Sequence, residues 1–447
     1  MAAVASFDSA ARCDAPRCMP ETRVAIQDEM IGWACQPTDK YDDSERLMWL
    51  HGPAGSGKTA IMGSISQTCH TLGTLAANYY FSIAYGTAYS RTKAPFIATL
   101  TYQLIQHKCL QSLRIRILAA IEHNPAIFEQ RLDTQLEQLL LQPLREELSQ
   151  PPPDLHLWPK VILIDGLDEV ACSPTTRSTS GSKGMSDGDE QVEILHILTR
   201  AASQPSPSFP FRIIVASRPE RPIRHFFRDR APSYLFTTRE LSDHYKPDED
   251  IALYLNASLS EIARRYDMPS TWVHDELICT LVQNASGQFI YAATVVRFLE
   301  TPSRHPSELL KHVMNIHPAK NELRPFSTLD RLYESILMTS PDPLQSVHWI
   351  WASRESHDAR RPWSLVKFLE TVAGEAEYLM GNLCSLVSVP GTTSSFRGEN
   401  TPPFRVYHKS LLDYLNDPRR CDPELYLTKA ARDRFSISCF FRVLESE

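Results

Sequence analysis

Apolar residues in the first half of the chain fall into two kinds of pattern. Short, mostly apolar runs at 47–50, 76–81, 161–164 and 211–216 have strand length, and 161–164 is wholly apolar. A strand buried on both faces reads as such a run. Residues 234–236 predict a fifth strand. Between the runs, apolar residues recur at helical spacing: Ile26, Met30, Trp33 and Ala34, then Ile61 and Ile65, then Phe96, Ile97, Leu100 and Leu104, then Leu136, Leu139, Leu140 and Leu144. Thr22 is placed to cap the first of these helices. Pro143 is placed to kink or interrupt the last. Another helix is expected over 191–202.

Beyond residue 240 the pattern is helical alone. Ile251, Tyr254, Leu255, Leu259 and Ile262 keep one face, as do Val273, Leu277 and Leu281. Residues 289–299 form a strongly apolar helix, and Leu329, Leu332, Tyr333, Ile336 and Leu337 mark a further one. Residues 339–363, rich in Pro, Ser and charge, read as a connector around a short Trp-bearing segment. Apolar patches at 379–389 and 404–407, separated by a Gly/Thr/Ser loop at 391–401, predict a small hairpin beside helices.

Strands alternating with helices imply an α/β fold with a mainly parallel sheet flanked by helices. Ligands of such sheets bind beyond the carboxyl ends of the strands. Residues 1–20 read as a mobile N-terminal tail and 36–45 as a polar connector. Residues 172–190 read as a low-complexity mobile loop whose Ser/Thr density permits phosphorylation.

Composition narrows the class. Of 447 residues, 43% are hydrophobic and 22% charged, as expected for a globular chain of about three domains. A net charge of −7 argues against nucleic acid as a partner. No stretch reaches the roughly 20 apolar residues that span a bilayer. Residues 1–18 lack the apolar core of a secretory signal. The ten cysteines show no CxxC pair, so they read as reduced thiols of a cytoplasmic chain.

One stretch carries chemistry. Gly52, Pro53, Ala54, Gly55, Ser56, Gly57, Lys58 and Thr59 follow a predicted strand and open a predicted helix. This is the GxxxxGK[ST] phosphate-binding pattern. Its glycines let backbone N–H groups converge on an anion. Lys58 reaches the outer phosphates, and the Thr59 hydroxyl can bind Mg²⁺. Asp165, at the end of the run 161–164, is placed to hold the same metal. Asp168 and Glu169 follow within one turn as candidates to orient an attacking water. The position directly after Asp165, where many such ATPases place an acid, is Gly166. Arg218, after the run 211–216, is a candidate sensor of the outer phosphate.

With these residues placed, the chain resembles the NACHT group of STAND signalling ATPases, in particular fungal NLR-like proteins with a nephrocystin-3-like N-terminal NACHT domain. The motifs are WLHGPAGSGKTAI (49–61), VILIDGLDEV (161–170) and IIVASRPE (213–220), supported by CMPETRVAIQDEMIGWA (18–34), DIALYL (250–255), GQFIYAATVVRFL (287–299), LDRLYESIL (329–337) and VYHKSLLDYLNDPRR (406–420). The resemblance implies a nucleotide-binding domain over 21–240, a helical domain over 241–320, a winged-helix domain over 321–430 and a C-terminal segment over 431–447. It implies ATP/ADP and Mg²⁺ as ligands, slow hydrolysis, and ATP-dependent opening with homo-oligomerisation. His408 looks like the winged-helix histidine that contacts ADP phosphates; read from its neighbours alone, it is equally a core histidine beside Leu411, Leu412 and Leu415. The stretch Gly287-Gln288-Phe289 departs from the Gly-x-Pro turn of relatives. Relatives continue into sensor repeats, so protein partners are expected through missing or separate sensor or effector domains. Two other functions fit the motifs: a turnover P-loop ATPase, and an adaptor with a structural nucleotide.

Overall fold

The four apolar runs of the first half are strands of one sheet, displaced by at most a residue or two from the sequence reading. The computed structural model describes residues 1–36, 45–149, 153–172, 186–205, 207–302, 304–316, 326–355, 362–388 and 404–445. The chain divides into two units, Met1–Tyr245 and Lys246–Glu447.

In the first unit the elements are α1 (Val24–Cys35), β1 (Leu47–His51), α2 (Lys58–Thr71), β2 (Leu75–Tyr80), α3 (Phe96–Leu104), α4 (Gln111–His123), α5 (Leu132–Leu136), α6 (Gln142–Ser149), β3 (Val161–Asp165), α7 (Asp187–Ala202), β4 (Arg212–Ser217), α8 (Arg221–Asp229) and β5 (Phe236–Glu240). The sheet order is β2-β3-β4-β1-β5, with every pair parallel. The fifth strand therefore starts where the predicted run ended; Tyr234 and Leu235 only lend their carbonyls to Glu45 and Leu47.

Alternating side chains serve two cores, as the period of two demands. Leu47, Trp49, Ile162, Ile164, Ile213 and Val215 face one layer of helices. Met48, Leu50, Val161, Leu163, Ile214 and Ala216 face α1 and α2 on the other side, where Ile26, Met30, Trp33, Ile61 and Ile65 meet them. Both faces being buried explains why the runs showed no polar alternation.

Several local expectations are corrected. Thr22 does not cap α1: its hydroxyl donates to the Met19 carbonyl, and Arg23, at φ +56°, takes the cap position. The interruption expected at Pro143 is present, but as a π turn, Glu137–Leu141, that joins two helices just before the proline. Pro143 offers no N–H and its ring crowds the preceding turn, so the ladder widens before it. α7 begins at Asp187 rather than 191, because Ser186 and Asp189 close a capping box. The rest of the loop expected over 172–190 lies outside the described residues, as do most of the connector 36–45 and the loop 391–401.

Residues 1–20 are not a free tail. Ala2 and Ala5 are buried, the Phe7 N–H donates to Asn78 Oδ1 at 2.8 Å, and the Cys18 N–H donates to Ser64 Oγ at 2.9 Å. Arg12 lies with its guanidinium 4.0 Å from the Tyr80 ring centre. The segment is polar in composition, yet several of its apolar residues are buried and several of its backbone N–H groups find partners on the sheet, α2 and α3. This packed segment is the N-terminal strap.

The second unit holds α9 (Pro247–Arg265), α10 (Asp275–Ala285), α11 (Phe289–Leu299), α12 (Pro306–Met314), α13 (Ser327–Leu337), α14 (Pro343–Glu355), α15 (Pro362–Leu369), α16 (Glu375–Met380), the two-residue strands β6 (Val387–Ser388) and β7 (Arg405–Val406), α17 (Lys409–Asn416) and α18 (Lys429–Glu445). β6 and β7 pair antiparallel, which is the expected hairpin. The stretch 339–363 is mostly helix rather than connector. In α14, Val347, Trp349 and Ile350 are all buried and point to different sides, so no single apolar face advertises the helix.

Candidate functional site

The site grows from the turn between β1 and α2. Gly55 and Gly57 take φ +76° and +92°, a region that glycine enters without steric cost. Gly57 is the N-cap of α2, so the first N–H groups of that helix open at the loop. Lys58 Nζ turns back along the loop and donates to the carbonyls of Gly52 at 2.9 Å and Pro53 at 2.8 Å. Burial lowers the Lys58 ammonium to about 8, opposed chiefly by the charge of Asp168.

β3 delivers Asp165 to the same sheet edge. β4 lies between β3 and β1, so Asp165 and Arg218 leave neighbouring strand ends beside the loop. The Asp165 carboxyl is buried and hydrogen-bonded to Thr59. Burial raises it to about 7, against the pull of Arg12 and of the Thr59 hydrogen bond. One carboxylate, one hydroxyl and the oxygens of a phosphate chain make an all-oxygen set that suits Mg²⁺. Among the described residues no group of three or more His, Cys, Asp or Glu forms a metal cluster, so an ion here would share its shell with phosphate and water.

The residues after Asp165 serve the backbone. Gly166 has φ +73°, and an added Cβ would stand 2.2 Å from the Phe81 carbonyl oxygen. The turn Leu167–Glu169 then folds the two acids away along different paths. Asp168 Oδ1 accepts the Arg218 N–H at 2.9 Å, and its Oδ2 lies 3.4 Å from Arg218 Nε. Glu169 Oε2 accepts the Ile83 N–H at 2.5 Å. The structure thus gathers residues 52–59, Asp165, Asp168, Glu169 and Arg218 at one sheet edge.

His408 lies in the second unit. It is the N-cap of α17: its Nδ1 accepts the Ser410 N–H at 3.1 Å and lies 2.6 Å from Ser410 Oγ. An accepting Nδ1 puts the ring proton of a neutral imidazole on Nε2. Ser410 Oγ in turn meets the Tyr333 hydroxyl at 2.6 Å.

Two arginines near the loop escaped the sequence reading. Arg23 Nη2 donates to the Ser56 carbonyl at 3.2 Å, and Arg12 is the strongest charge acting on Asp165. Neither sits in an apolar pattern or a strand-end motif. Arg23 lies in the stretch 18–34 quoted above, but its contact with the loop, like the position of Arg12, is seen only in the fold.

A family model described as "Nephrocystin 3, N-terminal" matches residues 27–218, a stretch that includes the phosphate loop, Asp165 and Arg218. No curated protein matches the chain. Among solved structures, the Walker-type ATPase PABY2304 of Pyrococcus abyssi is 14% identical, with 89% of this chain and 97% of that chain covered at a TM-score of 0.36. PCH-2 of C. elegans is 13% identical, with 70% and 68% covered at 0.27. The parallel sheet, the loop at the β1–α2 junction and the acid-ended β3 define the class: the chain is a nucleotide-binding P-loop NTPase.

Proposed function

We propose that the chain is an ATP/ADP-dependent signalling switch of the NACHT/STAND type, a fungal NLR-like protein that acts in the cytoplasm. The nucleotide is held by residues 52–59, with Lys58 turning from the loop carbonyls to the outer phosphates. Mg²⁺, when bound, neutralises phosphate charge between Thr59 and Asp165. The helical domain (241–320) and the winged-helix domain (321–430) respond to the nucleotide, and His408 reads the ADP phosphates in the closed state. ATP releases that state and permits self-association.

The observation that carries this reading is the employment of both candidate acids. Asp168 is engaged with Arg218 and Glu169 Oε2 with the Ile83 N–H, so activating a water requires these contacts to rearrange. Hydrolysis is then slow, and occupancy by ATP or ADP is the output. A turnover ATPase or an adaptor with a structural nucleotide predicts otherwise. The deciding experiment measures mass in solution with ADP, with ATP and with a non-hydrolysable analogue. The switch requires a larger species with triphosphate only. Lys58→Ala, which removes a side chain whose hydrogen bonds among the described residues are to its own loop, should keep the fold and lower affinity for both nucleotides by about 100-fold. Unchanged affinity by calorimetry would end the nucleotide reading.

A further inference from the structure

We propose that Arg12 is a phosphate ligand: the N-terminal strap delivers, within the same chain, a guanidinium that binds the outermost phosphate of a nucleoside triphosphate seated in the P-loop. The inference rests on the nucleotide reading above and adds a residue that discriminates triphosphate from diphosphate.

The strap is fixed on both sides of Arg12. Before it, Phe7 is tied to Asn78. After it, the Asp14 carbonyl accepts the Tyr85 hydroxyl at 3.0 Å, and Cys18 is tied to Ser64 in α2. The Pro16 carbonyl approaches Gly63 so closely that a Cβ there would stand 2.9 Å from it. The Arg12 backbone is therefore held in place and the side chain enters the protein. Arg12 is only 3% exposed. Its guanidinium lies 4.0 Å from the Tyr80 ring centre and 5.2 Å from that of Tyr85.

Two of its nitrogens, Nε and Nη1, are buried without a hydrogen-bond partner. A buried cation with unmade hydrogen bonds is costly, and such groups cluster where a ligand completes them. The location says which ligand. Tyr80 is paired in register with Asp165 on the neighbouring strand, and its hydroxyl meets Ser66 Oγ of α2 at 2.7 Å. Arg12 thus stands at the end of the site where Asp165 and Thr59 meet, which is the metal and outer-phosphate end. The outermost phosphate is the group this placement puts within reach, and a nucleoside diphosphate lacks it. A phosphate oxygen is the acceptor that suits an arginine in this position, and an anion of several charges offsets a guanidinium better than one carboxylate.

The test is calorimetry with Mg²⁺–ADP and with the Mg²⁺ complex of the β,γ-imido analogue of ATP, on the full chain and on Arg12→Met and Arg12→Lys. Arg12→Met should weaken the triphosphate analogue by about tenfold or more while ADP changes less than about twofold. Arg12→Lys should recover part of the loss. Equal weakening of both nucleotides, or of neither, would overturn the proposal. If the unmodified chain binds neither nucleotide, the P-loop reading falls first and takes this one with it. Should Arg12→Met fail to fold, hydrogen exchange on the unmodified chain decides. The analogue should slow exchange over residues 7–18 beyond what ADP does, and equal exchange would reject the assignment.

Discussion

At Gly166 and Asp165, adjacent residues meet opposite demands. Gly166 must be glycine on two grounds, its φ of +73° and the Phe81 carbonyl 2.2 Å from any added Cβ. Gly166→Ala should therefore cost about 3 kcal/mol or more, read as a lowered denaturation midpoint. A midpoint within error of the parent would mean the turn relaxes freely. The residue that in many P-loop ATPases is an acid is here fixed by sterics, so the displaced acids follow from backbone packing as well as from chemistry. Asp165 shows the reverse relation, function held against stability. Its folded carboxyl titrates near 7, raised by burial, while the unfolded group titrates at the ordinary value of 3.8. Between those values the native state binds a proton that the unfolded state has released, so stability falls as pH rises from about 4 to 7. Asp165→Asn removes that loss. The nucleotide-free variant should be about 1–3 kcal/mol more stable than the parent at pH 7.5, with no gain at pH 4, in paired melts at the two pH values. A variant less stable at pH 7.5 would refute the sign.

At the scale of elements, what the sequence disclosed depended on how each element is buried. β1, β3 and β4 were legible because a strand between two helical layers is apolar without interruption. α1 and α3 were legible because each has one apolar face. α14 was not, since Val347, Trp349 and Ile350 are buried on different sides and the helical period vanishes. The strap was the largest miss. Its attachment runs largely through backbone N–H groups and carbonyls, and its few packed side chains, such as Phe7 and Arg12, form no period, so neither leaves a mark on a sequence. Asn78 is one of its anchors. The Asn78 Oδ1 accepts the Phe7 N–H, Nδ2 donates to Gln103 Oε1 at 3.1 Å, and Gln103 returns a bond to the Asn78 carbonyl. Asn78→Ala leaves a buried N–H unpaired and should cost about 1–3 kcal/mol. It should also speed tryptic cleavage at Arg17 before any cut within the sheet. Cleavage at the parent rate would show that the strap is held elsewhere.

For the whole molecule, the site proper was readable because its chemistry sits in contiguous motifs, whereas a coupling between the nucleotide and the second unit is proposed from the resemblance alone, with His408 as its candidate residue. That residue already has a structural task, as the N-cap of α17 through Nδ1. Truncation to alanine would confound the cap with the latch. Asparagine separates them, because its short carbonyl supplies the capping acceptor but cannot extend an imidazole N–H to a phosphate. In His408→Asn the second unit should keep its stability to within about 0.5 kcal/mol. ADP affinity should fall by about tenfold, with affinity for the β,γ-imido analogue of ATP little changed. A ligand shifts an equilibrium only by its differential affinity for the two states. Under the proposed switch, weakening ADP alone moves the variant toward the open form, and self-association should appear at lower analogue concentration when ADP competes. Unaltered ADP affinity in a stable His408→Asn would leave His408 as a helix cap and refute its proposed contact with ADP.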